Sequence, residues 1–317
     1  MKLTQVRTFV AIADVGGFAR AAARVNLTQS AASRQIHALE AELGVALFDR
    51  VGRGVQLTSG GEDLLRRCRR VLAEADSVGE RARALKTGQT EGVLRVGATP
   101  QMIENLLADF LLRYRRRHPG VEIRLVEEGG ARLPNRLERG DVQLAIMPAG
   151  DGDLPGQLLF PMYLLAVLPE KHRFSRRAVL EVAELADEPL LRLGPGFASH
   201  VWFEAACHVA RIRPRVLLES GAPQTLIALA RTGYGIAVVP SPVRILRERL
   251  RVVPLVHRGV PIGRWAVVAR DTRRSIAQYA EQFVAELVAH IRRKYPGSDL
   301  VRRAPPLPRP KEPGPHH

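Results

Sequence analysis

Ser30, Ser33, Arg34 and His37 are short or cationic hydrogen-bond donors that share one side of a helical stretch. Ala32, Ile36, Leu39 and Leu43 recur at i, i+4, i+7 and i+11 and form an apolar stripe on the other side. Donors of this kind near the N-terminal half of a helix can enter a major groove and meet base edges or phosphates. On an isolated amphipathic helix the same face reads as ordinary solvated surface. The choice between the two rests on the elements around it.

Those elements favour a reader of DNA. Leu3, Val6, Phe9, Val10 and Ala13 have helical spacing, and Gly16-Gly17 ends that helix. Phe18 to Val25 is a second, compact, alanine-rich helix. Asn26 stands where a left-handed C-cap belongs, and Thr28 can cap the helix from Gln29 to Leu43, which Gly44 stops. The turn is then about three residues, as helix-turn-helix geometry requires. Phe48, Val51, Val55 and Leu57 flank Gly52-Arg53-Gly54, a tight hairpin tip. Arg50 and Arg53 would project from this wing toward a phosphate backbone or a minor groove, an ordinary charged turn being the alternative. Thr58 or Ser59 then caps a long helix, and Ser59 to Glu62 fits a capping box. Apolar spacing from Leu64 to Leu85 carries that helix to about Lys86. It is too long to bury its stripe on a small winged domain, so pairing with a second copy is expected. Cys68 lies within the stripe and reads as a small buried apolar residue.

These residues resemble the LysR-type transcriptional regulators. The resemblance rests on Phe9, the alanine-rich second helix, Leu27-Thr28-Gln29-Ser30, Ser33-Arg34-Gln35-Ile36, Leu39-Glu40, Leu43-Gly44, Leu47-Phe48-Asp49-Arg50 and Leu57-Thr58. Ser30 stands where the family often has proline. The resemblance implies that Gln29, Ser30, Ser33 and Arg34 contact bases or phosphates from the recognition helix and that Arg50 and Arg53 serve in the wing; His37, on the same face, is expected to join them. It implies dimers through the long helix, often assembled into tetramers on double-stranded promoter DNA, with RNA polymerase a further partner there.

The whole-chain balance agrees. The chain has 317 residues, 46% of them hydrophobic, and a formal charge of +16. Such a charge favours polyanions. No apolar run approaches the length of a membrane span, and the start is too polar and periodic for a signal peptide. Cys68 and Cys207 are too far apart for a disulfide framework, so a cytoplasmic setting is expected.

After Gly88 strands and helices alternate. Gly92 to Ala98, Val121 to Glu128 and Val142 to Pro148 read as strands, with helices around Leu107 to Tyr114 and from Leu133 to Arg139. A second set follows, with strands at Leu190 to Leu193, Val216 to Glu219 and Gly235 to Pro240 and helices from Ser199 and through Leu226. Gly263 to Arg270 reads as a strand and Ser275 to Lys294 as a last helix. The expected fold class is α/β, each set a parallel sheet covered by helices. The resemblance implies a two-lobed effector domain like the periplasmic solute-binding proteins. The expected division is a winged domain over 1–58, a linker helix over 59–89, lobe I over 90–161 and 265–295, and lobe II over 162–264.

Ligands of open α/β sheets sit at strand carboxyl ends beside helix starts. Thr99 and Gln101 follow the first strand, Gly129 the second, and Phe197 and Ser199 precede a helix in lobe II. These five are the expected effector contacts, with N-capping and packing as the alternative. Free backbone donors and hydroxyls favour an anion such as a carboxylate. Glu128-Gly129-Gly130 departs from the family's small polar loop. Arg132 or His200 could supply a cation, though solvated positions suit both. No metal-spaced cluster, nucleophile elbow or phosphate-cradling loop argues for an enzyme, and no cofactor is expected. Residues 296–317 read as a disordered, basic, proline-rich tail that could add non-specific DNA attraction, with a proline-ligand look at Pro305 to Pro310.

Overall fold

The computed structural model describes the chain except residues 52–53, 88–91, 151–155, 272–275, 293, 300–303 and 311–317. It also leaves the side chains of residues 50–51, 54, 77, 80–81 and 83–87 undescribed. The chain divides into two compact units, an N-terminal one and a larger one that begins at Thr90.

The N-terminal unit opens with three helices, α1 (Leu3–Val15), α2 (Phe18–Arg24) and α3 (Gln29–Leu43). Their ends follow from local chemistry. Gly16 and Gly44 take left-handed caps at φ 65° and 67°. Asn26 does the same at φ 57°, a conformation that asparagine tolerates. Thr28 Oγ1 accepts the Ala31 N–H at 3.2 Å and caps α3. Helix α2 stops one residue before the expected Val25, so four residues connect it to α3. Val6, Phe9, Ile12, Ala21, Ile36, Leu39 and Leu47 form the buried core. Phe9 meets Phe48 edge-on at 5.4 Å. Strands β1 (Phe48–Val51) and β2 (Gly54–Leu57) pair antiparallel with Val51 opposite Gly54.

Helix α4 (Ser59–Thr87) spans 29 residues, about 43 Å at the usual rise. Thr58 caps it by accepting the Gly61 N–H at 2.8 Å, and its hydroxyl donates to Ala46 O at 2.6 Å. The expected capping box from Ser59 to Glu62 does not form, because Thr58 is the cap and the third residue after it is Gly61, which has no side chain to return the bond. A Cβ there would lie 2.2 Å from Leu47 O, so the helix start packs directly on the backbone ahead of the wing. Leu65 and Cys68 bury against the core, and Arg69 pairs with Asp14 at 2.5 Å. Farther along, Val78 is 69% exposed, so the stripe runs on past its own domain.

The larger unit has the expected α/β order. Strand β3 (Gly92–Ala98) leads into α5 (Pro100–Met102), a π-turn at Ile103–Leu107 and α6 (Ala108–Arg117). Strand β4 (Val121–Glu127), helix α7 (Leu133–Arg139) and strand β5 (Leu144–Pro148) complete the first set. A long strand, β6 (Gly156–Pro169), leads to β7 (Leu180–Glu181), a short 3-10 turn, β8 (Pro189–Leu193), α8 (Ala198–Ala210), β9 (Arg215–Ser220), α9 (Pro223–Arg231) and β10 (Ile236–Pro240). Strands β11 (Leu250–His257), β12 (Val260–Pro261) and β13 (Gly263–Ala269) and helix α10 (Gln278–Ile291) close the chain's regular structure.

The sheet order is β4-β3-β5-β13-β6-β10-β8-β9. Pairing is parallel within β4-β3-β5 and within β10-β8-β9, as expected. The strands between them are antiparallel, which the expectation of wholly parallel sheets missed. Strand β6 joins the two halves. Its first part pairs with β13 up to Tyr163 opposite Gly263. Its second part pairs with β10 and β11 from Leu164 onward. Every residue from Tyr163 to Leu168 is buried, so β6 shows no alternation by which a half-exposed strand is recognised. One core lies around Leu94, Phe110, Tyr114 and Phe283, and others around Leu190 and Phe203 and around Leu191 and Leu226. These cores on either side of the crossing strands make two lobes.

The expectation of a disordered tail is not met where the tail is described. Residues 295–299 and 304–310 pack on the crossing strands and on lobe II. Their proline content signals poor helix and strand formation, but it says nothing against docking in an extended form.

Candidate functional site

Helix α3 exposes Gln29, Ser30, Arg34 and His37, with Ser33 half-buried between them. The face is held from behind. Ala32, Ile36 and Leu39 are buried, and Gln35 accepts the Thr8 hydroxyl at 2.6 Å, which fixes α3 against α1. Glu40 accepts the Leu47 N–H at 2.8 Å and lies 3.4 Å from His37 Nδ1, so one carboxylate orients both the wing's entry and a face residue. Arg34 has no ion-pair partner among the described residues. Arg50 stands in β1, its side chain outside the described set, and Arg53 lies outside the described residues altogether. The surface thus offers hydroxyl, amide, imidazole and guanidinium donors on a rigid helix beside a hairpin.

The second constellation lies between the two lobes. Thr99, Gln101, Phe197 and Ser199 line one cavity of about 30 Å³. Met102, Gly130, Pro148, Met162, Trp202 and Pro242 complete most of its wall. Such a space holds about one water, so the cleft is nearly closed. Gln101 is buried to 3% exposure, and its Nε2 has no hydrogen-bond partner. An orphaned buried donor costs about 1–3 kcal/mol, so it calls for an explanation. Thr99 sits at the N-cap of α5 but makes no side-chain capping bond. Thr99, Gln101 and Ser199 thus line the cavity among methionine, proline and aromatic side chains.

Gly129 is beside the cavity rather than in its wall. A Cβ there would lie 2.2 Å from Gly196 O. The Ala131 N–H donates to the same Gly196 carbonyl at 3.4 Å. Glycine at 129 lets the two lobes touch backbone to backbone. The neighbouring charges are engaged. Burial pushes the Glu128 carboxyl up, but the Gly129 N–H, Arg136 and Arg132 outweigh it and hold the group below its usual range. Arg132 lies 3.6 Å from Glu128, and His200 Nδ1 lies 3.0 Å from Leu193 O. Neither residue lines the cavity.

Sequence reasoning missed Asn105. It lies in the π-turn, and its Nδ2 donates to Gln101 O at 3.1 Å and to Pro242 O at 3.0 Å. The widened turn frees the Gln101 carbonyl for a side chain, and that side chain bridges the lobes. A π-turn of this kind is common at functional sites. Met162, Trp202 and Pro242 were also missed, since each reads as core or turn in its own segment.

A winged helix-turn-helix unit and a two-lobed unit with an interlobe cavity, joined in one chain, define a DNA-binding regulator with a ligand-binding domain. The comparisons agree. Residues 3–62 match the model of the bacterial regulatory helix-turn-helix protein, lysR family, and residues 87–292 match the LysR substrate binding domain. The chain is 35% identical to the HTH-type transcriptional regulator IlvR of Caulobacter vibrioides, over 81% of this chain and 88% of that protein. Among solved structures, full-length OxyR of Pseudomonas aeruginosa, a single-residue variant, superposes with TM-score 0.69 at 23% identity, covering 91% of this chain and 98% of that one. Full-length CbnR in complex with its target DNA superposes with TM-score 0.58 at 24% identity, covering 92% and 99%. The chain belongs to the LysR family of DNA-binding transcriptional regulators. The family and these relatives are regulators, not enzymes. Among the described residues no helix is long and apolar enough to cross a membrane, and no group of His, Cys, Asp and Glu could hold a metal.

Proposed function

We propose that a small anionic effector, a carboxylate with an apolar body, binds between the lobes at Thr99, Gln101, Phe197 and Ser199. The observation that carries this reading is the buried, unpartnered Gln101 amide at the cavity wall. The hydroxyls of Thr99 and Ser199 and the helix starts at Pro100 and Ala198 add donors and positive dipole ends. The charge complement then comes from dipoles and neutral donors, since no cationic side chain lines the cavity. A cavity of about 30 Å³ is too small for such a molecule. Entry requires the lobes to part at the Gly129–Gly196 contact and close again around the ligand.

In this reading Gln29, Ser30, Ser33, Arg34 and His37 contact promoter DNA, with Arg50 and Arg53 in the wing. The exposed stripe of α4 pairs with a second copy, and dimers or tetramers of this cytoplasmic protein sit on the promoter beside RNA polymerase. Lobe closure changes the geometry of that assembly, which is how the ligand state reaches the DNA. Gly129 is assigned to closure, as the residue that lets the lobes meet.

The test is a thermal-shift screen of the full chain against small aliphatic acids, aromatic acids and amino acids. A ligand bound only by the native state raises the melting midpoint with log concentration. Carboxylates are expected to shift it. Hits confined to neutral or cationic compounds would exclude the anionic class.

A further inference from the structure

We propose that residues 295–299 and 304–310 act together as a strap across the hinge of the effector domain and hold its lobes in the closed arrangement. The segment is fixed at several points along its length. The Tyr295 ring stacks on Phe160 at 4.9 Å. Gly297, at φ 81°, passes so close to Ser241 that a Cβ would lie 3.0 Å from its backbone oxygen. Asp299 pairs with Arg247 at 2.5 Å. Ala304 and Leu307 pack on Tyr163 and Leu165 together with Ile245 and Val252. The Trp265 indole N–H donates to Pro308 O at 3.0 Å, and the Arg309 guanidinium covers the same ring at 5.3 Å.

The placement of these contacts gives the segment its role. Phe160 and Trp265 belong to the parts of β6 and β13 that pair with each other. Ser241, Ile245, Arg247 and Val252 lie in lobe II, after β10 and in β11. Tyr163 and Leu165 stand where β6 passes from one half-sheet to the other. One segment is therefore pinned on both sides of the strands about which the lobes would rotate. Relative rotation would break contacts on one side or the other. The contacts exist in an arrangement where Gly129 meets Gly196, so they favour closure.

The sequence suits a strap. Proline at 305, 306, 308 and 310 biases the chain toward the extended left-handed helix of three residues per turn. At that period Ala304 and Leu307 share one face. Both are half-buried, whereas Pro306, Pro308 and Arg309 are exposed. A chain already restricted in the unbound state loses little entropy on docking, and it transmits tension better than a flexible linker does.

Hydrogen exchange of the full chain tests this without any effector, so its outcome is separate from that of the ligand reading. The comparison is with a chain ending at Arg303 and with full-length Leu307→Asp, which keeps the length and charges one docking residue. The expected result is faster exchange, by about tenfold, in two places. One is the hinge, in peptides over 160–165 and 263–266. The other is the cleft rims, over 128–131 and 194–199, more than 100 residues away in sequence from the change. Faster exchange at the hinge with unchanged rims makes the segment a local cover and overturns the proposal. Unchanged exchange at both overturns it as well. If the shortened chain does not fold, Leu307→Asp decides by the same two readings.

Discussion

The recognition helix and the interlobe cavity are opposite kinds of site. On α3 the proposed reading residues lie within nine positions, all exposed but the half-buried Ser33, and are supported from behind by an ordinary apolar stripe. In the cavity Gln101 and Ser199 are buried and Thr99 and Phe197 half-buried; the four come from segments about 100 residues apart and are framed by glycine backbone and proline. A surface that reads DNA must reach outward into a groove from a rigid element, so it can be encoded locally. A cavity that encloses a small molecule needs walls from several elements, so it depends on the whole fold. The difference yields measurements that can separate the two sites.

The largest effect is expected from Phe9→Ala. Phe9 is fully buried and meets Phe48 edge-on, so truncation is expected to cost about 3–5 kcal/mol in the N-terminal unit. Calorimetry of the full chain should show one transition lowered and the effector-domain transition unmoved. A uniform shift of all unfolding would mean that the two regions do not behave as separate units.

Arg34→Ala comes next. Arg34 is exposed, packs against nothing in the core and has no ion-pair partner among the described residues. Its loss is expected to weaken specific operator binding by about 1–3 kcal/mol with the melting profile unchanged. A footprinting titration with unaltered half-saturation would remove Arg34 from the reading face.

The contrast also explains what the sequence disclosed. The caps at Gly16, Asn26, Thr28 and Gly44 are local signals, and α1, α3 and the wing fall where those signals put them. Strands β3 to β5 and β8 to β10 are short apolar runs between turn residues, so they were legible too. Strand β6 was not, because a strand buried on both faces loses its period. The cavity was half legible. Thr99, Gln101, Phe197 and Ser199 stand at helix starts that follow strands, and the structure gathers them. Asn105 was hidden because its role depends on a π-turn, which has no composition signal. The docking of residues 304–310 was not legible, because proline content reports on regular structure and not on contact.

Gln101→Leu sharpens the comparison at the cavity. An isolated buried donor is replaced by an apolar group of similar size, so the ligand-free chain is expected to gain about 1 kcal/mol. The same change should abolish the midpoint shift given by any carboxylate hit. On the reading face no substitution should produce that pair of effects, because nothing there is both buried and unpartnered. A destabilised Gln101→Leu chain that keeps its ligand response would take Gln101 out of the site.

The smallest effect uses the two cysteines, one in each region. Cys68 lies in the core of the N-terminal unit and Cys207 in lobe II, and both are buried. Burial raises both thiols. That of Cys207 is pushed up to about 12, burial being the largest cause and Glu204 adding to it against Arg192. The thiolate is the reactive form, so both should alkylate slowly at pH 8 and only as their own region opens. Phe9→Ala should then speed labelling of Cys68 and leave Cys207 as it was, which peptide mass mapping reads directly. The pH dependence follows with a fixed sign. A thiol whose folded value is raised stabilises the fold fully below its unfolded value near 9, and that contribution is lost as pH rises from there through about 12. Lobe II should therefore lose stability on the alkaline side between those limits, and Cys207→Ala should flatten that slope. A slope that persists in Cys207→Ala would assign the alkaline loss to another group and leave Cys207 as a labelling probe alone.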